Sequence, residues 1–121
     1  AAWNLTTGIS AGAAVYLDFT ALSQEIFDSS YTINFTGVRG FAIKNSANSG
    51  GEDIAIKATG SDALTALFNG TGNLLVKPSS SFLYSDPYGA VDVDSSNKNI
   101  QIHNNGTEEI SVSVIAVGVS G

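Results

Sequence analysis

Apolar and polar residues alternate at period two along most of this chain, the spacing of a pleated strand with one covered face and not of an amphipathic helix. Val15, Leu17 and Phe19 oppose Tyr16, Asp18 and Thr20, and Tyr31, Ile33 and Phe35 oppose Thr32, Asn34 and Thr36. Phe41 and Ile43 continue the pattern, as do Ile54 and Ile56, Leu74 and Val76, Phe82 and Tyr84, Val91 and Val93, and Ile100 and Ile102. Ile110, Val112, Val114 and Ala116 close it. Gly, Asn, Pro and Ser cluster between the runs, at 48–51, 69–72, 77–80, 86–89 and 104–106, where turn chemistry is expected. About eight or nine short strands separated this way predict an all-β fold, an antiparallel β-sandwich of jelly-roll-like form. Helix is confined to one or two short turns, over 61–68 and 21–27, where Leu64, Leu67 and Phe68, and Leu22 and Ile26, fall at helical spacing.

Two stretches repeat one another. Phe41-Ala-Ile-Lys-Asn45, a Gly-rich turn and Glu52-Asp-Ile-Ala-Ile-Lys57 match Ile100-Gln-Ile-His-Asn104, a second such turn and Glu108-Glu-Ile-Ser-Val-Ser113. Each reads as a strand ending in Asn, a turn, two acids and a second strand, and the expectation is a pair of similar hairpins. The copies then diverge. The first keeps one polar face through Lys57, whereas Ile115 and Val117 make the second apolar on both faces. A strand apolar on both faces must be covered on both, either by a neighbouring subunit or by a loop or the N-terminal segment around Trp3.

A length of 121 residues suits a single domain spanning 1–121, of which residues 1–10 can be read as an extended N-terminal arm. Only 13% of residues are charged, about half the usual share, so the surface is rich in Ser, Thr, Asn and Gly. Such a surface suits permanent protein contacts or neutral ligands such as sugars. The net charge is −6, and Arg39, Lys44, Lys57, Lys77 and Lys98 are scattered singly. Without a basic stripe, nucleic acid is not an expected partner, and the acidic balance disfavours anionic membranes. The absence of Cys excludes disulfides and thiolate metal sites. An opening at Ala1-Ala2-Trp3, with no Met and no charged or apolar leader, resembles a processed N-terminus.

Candidate chemistry is sparse. His103 is the only histidine, so a metal centre or a Ser-His-Asp arrangement would have to be built around it; it reads instead as an exposed residue at a strand end, and with no second His and no Cys zinc lacks its ligands. Asp92-Val-Asp94 has the spacing that opens a calcium loop, but the Gly and the distal Glu of such a loop are missing. Glu52-Asp53 and Glu108-Glu109 sit just after turns, where acids are ordinarily solvated. Four N-x-[ST] sequons, at Asn4, Asn34, Asn69 and Asn105, read as turn and strand chemistry. Tyr84 alternates with Phe82 as a core residue would, and Tyr88, in a turn, is expected to be exposed. Together with Trp3 it forms the one candidate sugar platform. The chain therefore reads as non-enzymatic, without cofactor or metal. Its contacts are expected at Ala1, Ala2, Trp3, Asn4 and Leu5, at Tyr88, and at the outward face of the last strand, Ile115 and Val117.

The C-terminal half adds a resemblance. Leu74-Leu-Val-Lys-Pro78, Ser81-Phe-Leu-Tyr-Ser-Asp-Pro-Tyr-Gly89, Ile100-Gln-Ile-His-Asn104 and Ser111-Val-Ser-Val-Ile-Ala-Val-Gly118 resemble small β-sandwich proteins of tailed-phage virions. The resemblance covers roughly residues 70–120 and, more loosely, 37–60. It implies a capsid decoration, or cement, protein on the virion surface, commonly trimeric, bound to the major capsid protein or another virion protein. The alternative is a carbohydrate-binding or adhesin-like module, extracellular or on a phage fibre.

Overall fold

The computed structural model describes residues 1–68, 73–86 and 88–120. Its strands are β1 (Ala2–Ile9), β2 (Ala14–Asp18), β3 (Leu22–Ile26), β4 (Ser29–Ile33), β5 (Phe35–Asn45), β6 (Ile54–Lys57), β7 (Asn73–Val76), β8 (Ser81–Ser85), β9 (Val91–Asp92), β10 (Asn99–Asn104) and β11 (Ile110–Ser120). One sheet has the order β1-β11-β5-β8, with the short β9 also on β5; the second is β2-β10-β6-β7. Every pairing is antiparallel. Two four-stranded sheets in this order, between which the chain repeatedly crosses, form a jelly-roll sandwich.

The inward rows of both sheets meet in one core. Trp3 and Ile9 of β1, Phe41 and Ile43 of β5, and Val112 and Val114 of β11 come from the first sheet; Leu17, Ile54, Ile56, Ile100 and Ile102 come from the second. Phe19 packs edge-on against Phe41 and Phe35, with ring centroids 5.7 and 6.3 Å apart, the geometry favoured by the aromatic quadrupole.

The structure corrects the reading of the repeat. The matched segments are not hairpins. β5 lies in one sheet and β6 in the other, and β10 and β11 likewise change sheets. Each turn therefore bridges the sandwich, and pairing runs between copies, β5 with β11 and β10 with β6. Exchanging β5 with β10, β6 with β11, β1 with β7 and β8 with β2 turns the order β1-β11-β5-β8 into β7-β6-β10-β2, which is the second sheet.

The two repeated asparagines hold these crossings in the same way. Asn45 Nδ2 donates to Glu52 O at 2.9 Å and Val76 O at 3.0 Å, while its Oδ1 accepts from the Ala47 N–H at 2.9 Å. Asn104 Nδ2 donates to Glu108 O at 2.7 Å and Ile9 O at 2.8 Å, and its Oδ1 accepts from the Gly106 N–H at 2.7 Å. Val76 ends β7 and Ile9 ends β1, so the partners too are related by the exchange. Both side chains are fully buried. An amide serves here because it presents two donors and an acceptor to backbone groups that a sheet-to-sheet crossing leaves unpaired.

Three local expectations also change. Residues 1–5 are not a free arm, because β1 pairs with β11 over its full length, from Ala2 opposite Val117 to Ile9 opposite Ile110. Residues 21–27 are not helical: Leu22–Ile26 is a strand that pairs with β4 in a separate hairpin. Of the 61–68 segment, only Thr65–Leu67 forms a single 3₁₀ turn. The turn at 69–72 lies outside the described residues.

Candidate functional site

The outward face of the β1-β11-β5-β8 sheet carries a groove of about 330 Å³. Its walls follow from the register. Ile115 of β11 lies opposite Ala42 of β5, which lies opposite Leu83 of β8; one row further, Val117 lies opposite Gly40 and Gly40 opposite Ser85. On the central strand Ala42 thus sits between two large residues, and Gly40 between Val117 and the small Ser85. Gly40 is required for this, because a Cβ there would approach Val117 Cγ2 to 2.8 Å. Leu83 is 73% exposed, Ile115 54% and Val117 40%, an apolar set on an outward face that solvent would ordinarily make polar.

A bulge aims the one charge at this groove. Val117 pairs with Gly40 but Gly118 pairs with Val38, leaving Arg39 as the extra residue of β5. Arg39 lines the groove and is exposed. Among the described residues the ion pairs are Lys77–Asp53 and Lys98–Asp18, and Arg39 enters neither. At the same end, Asp86 Oδ1 accepts the Tyr88 and Gly89 N–H groups at 3.1 and 3.0 Å and its Oδ2 lies 3.5 Å from Tyr84 Oη. Burial, helped by the Asp86 charge, holds the Tyr84 phenol above its ordinary value. Among the described residues the groove's lining contains no carboxylate. It is suited to holding an apolar side chain with an anion beside it.

The residues expected to make contacts are dispersed. Ile115 and Val117 line the groove, and Asn4 and Ala2 lie opposite them on the neighbouring strand. Ala1 is tied to β11, its ammonium donating to Gly118 O at 2.8 Å. Leu5 is half-buried and packs against the core. Trp3 is only 3% exposed, with Nε1 donating to Ser23 O at 2.8 Å, so the platform it was expected to form with Tyr88 is absent. Tyr88 itself is fully exposed. β1 lies beside β11, edge to edge, so of the two covers considered for the outward face of Ile115 and Val117, the segment around Trp3 does not supply one. Sequence reasoning missed Leu83, although Phe82-Leu83-Tyr84 carries the same uninterrupted apolar signal as the last strand.

The acids resolve into structural roles. Glu52 is buried, not solvated as expected. Its carboxylate crosses to the second copy of the repeat and accepts the Thr107 hydroxyl at 2.9 Å, the Thr107 N–H at 3.0 Å and the Glu108 N–H at 3.1 Å. The Thr107 hydroxyl first, then the two backbone donors, hold Glu52 below the usual carboxylate range. Gly106 must lack a side chain, since a Cβ there would collide with this carboxylate. Asp94 closes a local turn, accepting the Ser96 N–H at 2.8 Å and the Asn97 amide at 3.1 Å. Among the described residues no cluster of three metal-ligating side chains occurs, and no helix is long and apolar enough to cross a membrane.

No family model matches the chain, and no curated protein does. Solved structures do resemble it. PirA superposes with a TM-score of 0.52 at 14% identity, over 94% of this chain and 93% of that one. That superposition shows a shared sandwich fold. The Yersinia pseudotuberculosis-derived mitogen aligns with a TM-score of 0.45 at 12% identity, over 98% of this chain and 86% of that one. The nora virus structure gives 0.46 at 16% identity over 99% of this chain, which spans 58% of the viral one. No functional conclusion follows from these likenesses.

Proposed function

We propose that this chain is a non-enzymatic structural module of a virion, a capsid-decoration protein. It assembles with copies of itself through the outward face of the β1-β11-β5-β8 sheet and, once assembled, binds and stabilises the capsid. The observation that carries the reading is the apolar groove of Ile115, Val117 and Leu83 over the small residues Gly40 and Ala42. The jelly-roll order is compatible with it, since this architecture recurs in viral capsid domains, as it does in lectins. The resemblance of residues 70–120 to small virion sandwiches supplies the setting.

Burying what remains exposed of Leu83, Ile115 and Val117 is worth about 3–5 kcal/mol at roughly 1.5–3 kcal/mol per fully buried side chain. That is comparable to the lower estimates of the cost of association, so the face suits a repeated contact in a ring more than one isolated pair. Stability passes to the assembly by linkage, because the partner binds only the folded chain. The carbohydrate-binding alternative retains Tyr88 but has lost Trp3 to the core.

Mass in solution by light scattering tests the proposal. The expected result is a trimer or other closed oligomer for the native chain and a folded monomer for Ile115→Asp. A native chain that remains monomeric at high concentration overturns it. Glycan binding lost in Tyr88→Ala, with the oligomeric state unchanged, would favour the alternative.

A further inference from the structure

Among the described residues, β3 and β4 are the strands that neither sheet of the sandwich contains. Cross-strand pairing puts Leu22 and Ile33, Gln24 and Tyr31, and Ile26 and Ser29 on one face. At the base of this face Leu22 is buried and Ile33 packs against the core. Towards the tip the face is mixed, with Gln24 and Ser29 beside Tyr31 and Ile26, and its apolar members leave the protein: Ile26 and Tyr31 are about half exposed, and Phe27 in the turn is 98% exposed. Two-stranded hairpins depend on a covered face for stability. Here the outer half has none among the described residues.

The tip itself is strained. Phe27 and Asp28 both take left-handed backbone conformations, with φ of 50° and 63°. A tight hairpin needs this geometry, and Asn-Gly or Asp-Gly supplies it with little strain. A bulky aromatic does not. A strained, solvated Phe in place of an easy turn residue points to a use for its side chain. The hairpin is also rigidly mounted beside β1, since Trp3 Nε1 donates to Ser23 O and the Asn4 N–H donates to Gln24 Oε1 at 3.1 Å.

Charge selects the surface it fits. Residues 22–33 carry Glu25 and Asp28 and no base. Strands β1, β11, β5 and β8 carry Arg39 and Lys44 and no acid, and the short β9 of the same sheet adds Asp92 opposite Gly37, although the whole chain has a net charge of −6. The rest of the chain therefore holds all eleven acids against three bases. A cationic, apolar groove and an anionic, apolar finger occur on the same molecule at different places.

Resting on the self-association proposed above, we infer that the groove's occupant is the β3–β4 finger of a second copy. Phe27 enters between Ile115, Val117 and Leu83, and Asp28 or Glu25 lies beside Arg39. Finger and groove are different surfaces, so the contact is head-to-tail and each copy both gives and receives one. Such contacts close into a ring when the rotation allows.

Sedimentation velocity on the full chain over a range of concentrations tests this, with Trp3 emission and the melting temperature as folding controls. Phe27→Asn is the informative variant, because Asn tolerates the left-handed conformation better than Phe and the turn should form at least as well. Self-association should weaken at least tenfold while the fold is unchanged or more stable. Asp28→Arg should also weaken it, and adding Arg39→Asp to the same chain should recover it. If the native chain associates, Ile115→Asp abolishes association and Phe27→Asn leaves it intact, the sheet face is the interface but the finger is not its occupant. Loss of association in Tyr88→Ser with Phe27→Asn unaffected overturns the inference in the same way. A native chain monomeric throughout overturns the inference together with the reading on which it rests.

Discussion

Replacing Asn104 with Ala removes a fully buried amide and leaves three backbone groups without their partner: the carbonyls of Ile9 and Glu108 and the N–H of Gly106. Each bond is short, 2.7–2.8 Å, and each is worth about 1 kcal/mol net, rising towards 1–3 kcal/mol where the stranded group stays dry. The carbonyls retain a second lone pair and lose less than the N–H does. Taken together, about 3–4 kcal/mol of stability should be lost. That is a large part of the roughly 5–15 kcal/mol typical of a domain. With a urea m-value of about 2 kcal/mol per molar, the midpoint should fall by about 1.5–2 M with an unchanged slope. The melting temperature should fall by roughly 10–15 °C for a chain of this size. Trp3 is the only tryptophan and is buried beside Ser23, so its emission reports the transition directly. A loss below about 1 kcal/mol would refute the reasoning, since water would then be replacing the amide and the crossing would not depend on it.

Asn45 and Asn104 are joined through Glu52, whose carbonyl accepts from Asn45 and whose carboxylate accepts from Thr107 and Glu108 beside Asn104. A double-mutant cycle of Asn45→Ala and Asn104→Ala should therefore depart from additivity by about 0.5–3 kcal/mol; additive losses in urea titrations would show two independent latches. Held below its unfolded value of about 4.3, Glu52 contributes stability above that pH, and the contribution disappears as the pH falls through the folded value. Asp18 acts in the same direction. Burial alone would raise its carboxyl, but the Thr20 hydroxyl and N–H and the Lys98 ammonium outweigh burial and lower it. Melting temperature should fall on acidification below about pH 4.3, and Glu52→Gln should flatten that fall; an identical slope in the variant would remove Glu52 from the account.

The alternation at period two was enough to place most inward residues, because burial of one strand face leaves that pattern whatever the topology. It did not reveal which strand pairs with which. Asn45 and Asn104 look like hairpin turns in sequence, since a hairpin and a crossing between sheets both need a strand end, a glycine-rich turn and a second strand. Their difference lies in partners more than thirty residues away, Val76 for Asn45 and Ile9 for Asn104. Leu22 and Ile26 misled for a related reason: a spacing of four satisfies a helix face and also the same face of a strand, and Gln24 between them did not decide. The N-terminal strand was missed: Trp3, Leu5, Thr7 and Ile9 alternate inward, but residues 1–10 read as an extended arm because the partner strand lies at the far end of the chain. The apolar groove was half visible, through Ile115 and Val117. Leu83 completes it only once the register brings β8 alongside β5, and Phe27 becomes notable only when its backbone conformation is known.

The internal symmetry shows why the contact face lies where it does. In sequence, Ile54 of β6 aligns with Ile110 of β11, since each follows the paired acids of its repeat. β6 then ends at Lys57 after four residues, while β11 runs for eleven. Ile115 and Val117 therefore belong to a stretch with no counterpart strand in the first copy. So does the bulge between Val117 and Gly118 that frees Arg39. The shared part of the repeat is occupied with holding the sandwich together, through buried amides that tolerate little change. The extension makes no such crossing, and its outward residues can vary at small cost to folding. A surface that combines exposed apolar side chains with an unpaired cation on this unconstrained extension is where contact chemistry can be fitted without disturbing the core. The same logic applies to the β3–β4 hairpin, an insertion outside the eight strands that the exchange relates. If groove and finger are the two halves of one contact, both halves lie in additions to the symmetric scaffold. Substitutions at Phe27, Arg39, Leu83 and Ile115 should then change association while leaving the melting of the monomer nearly untouched, whereas substitutions at Asn45, Glu52 and Asn104 should do the reverse.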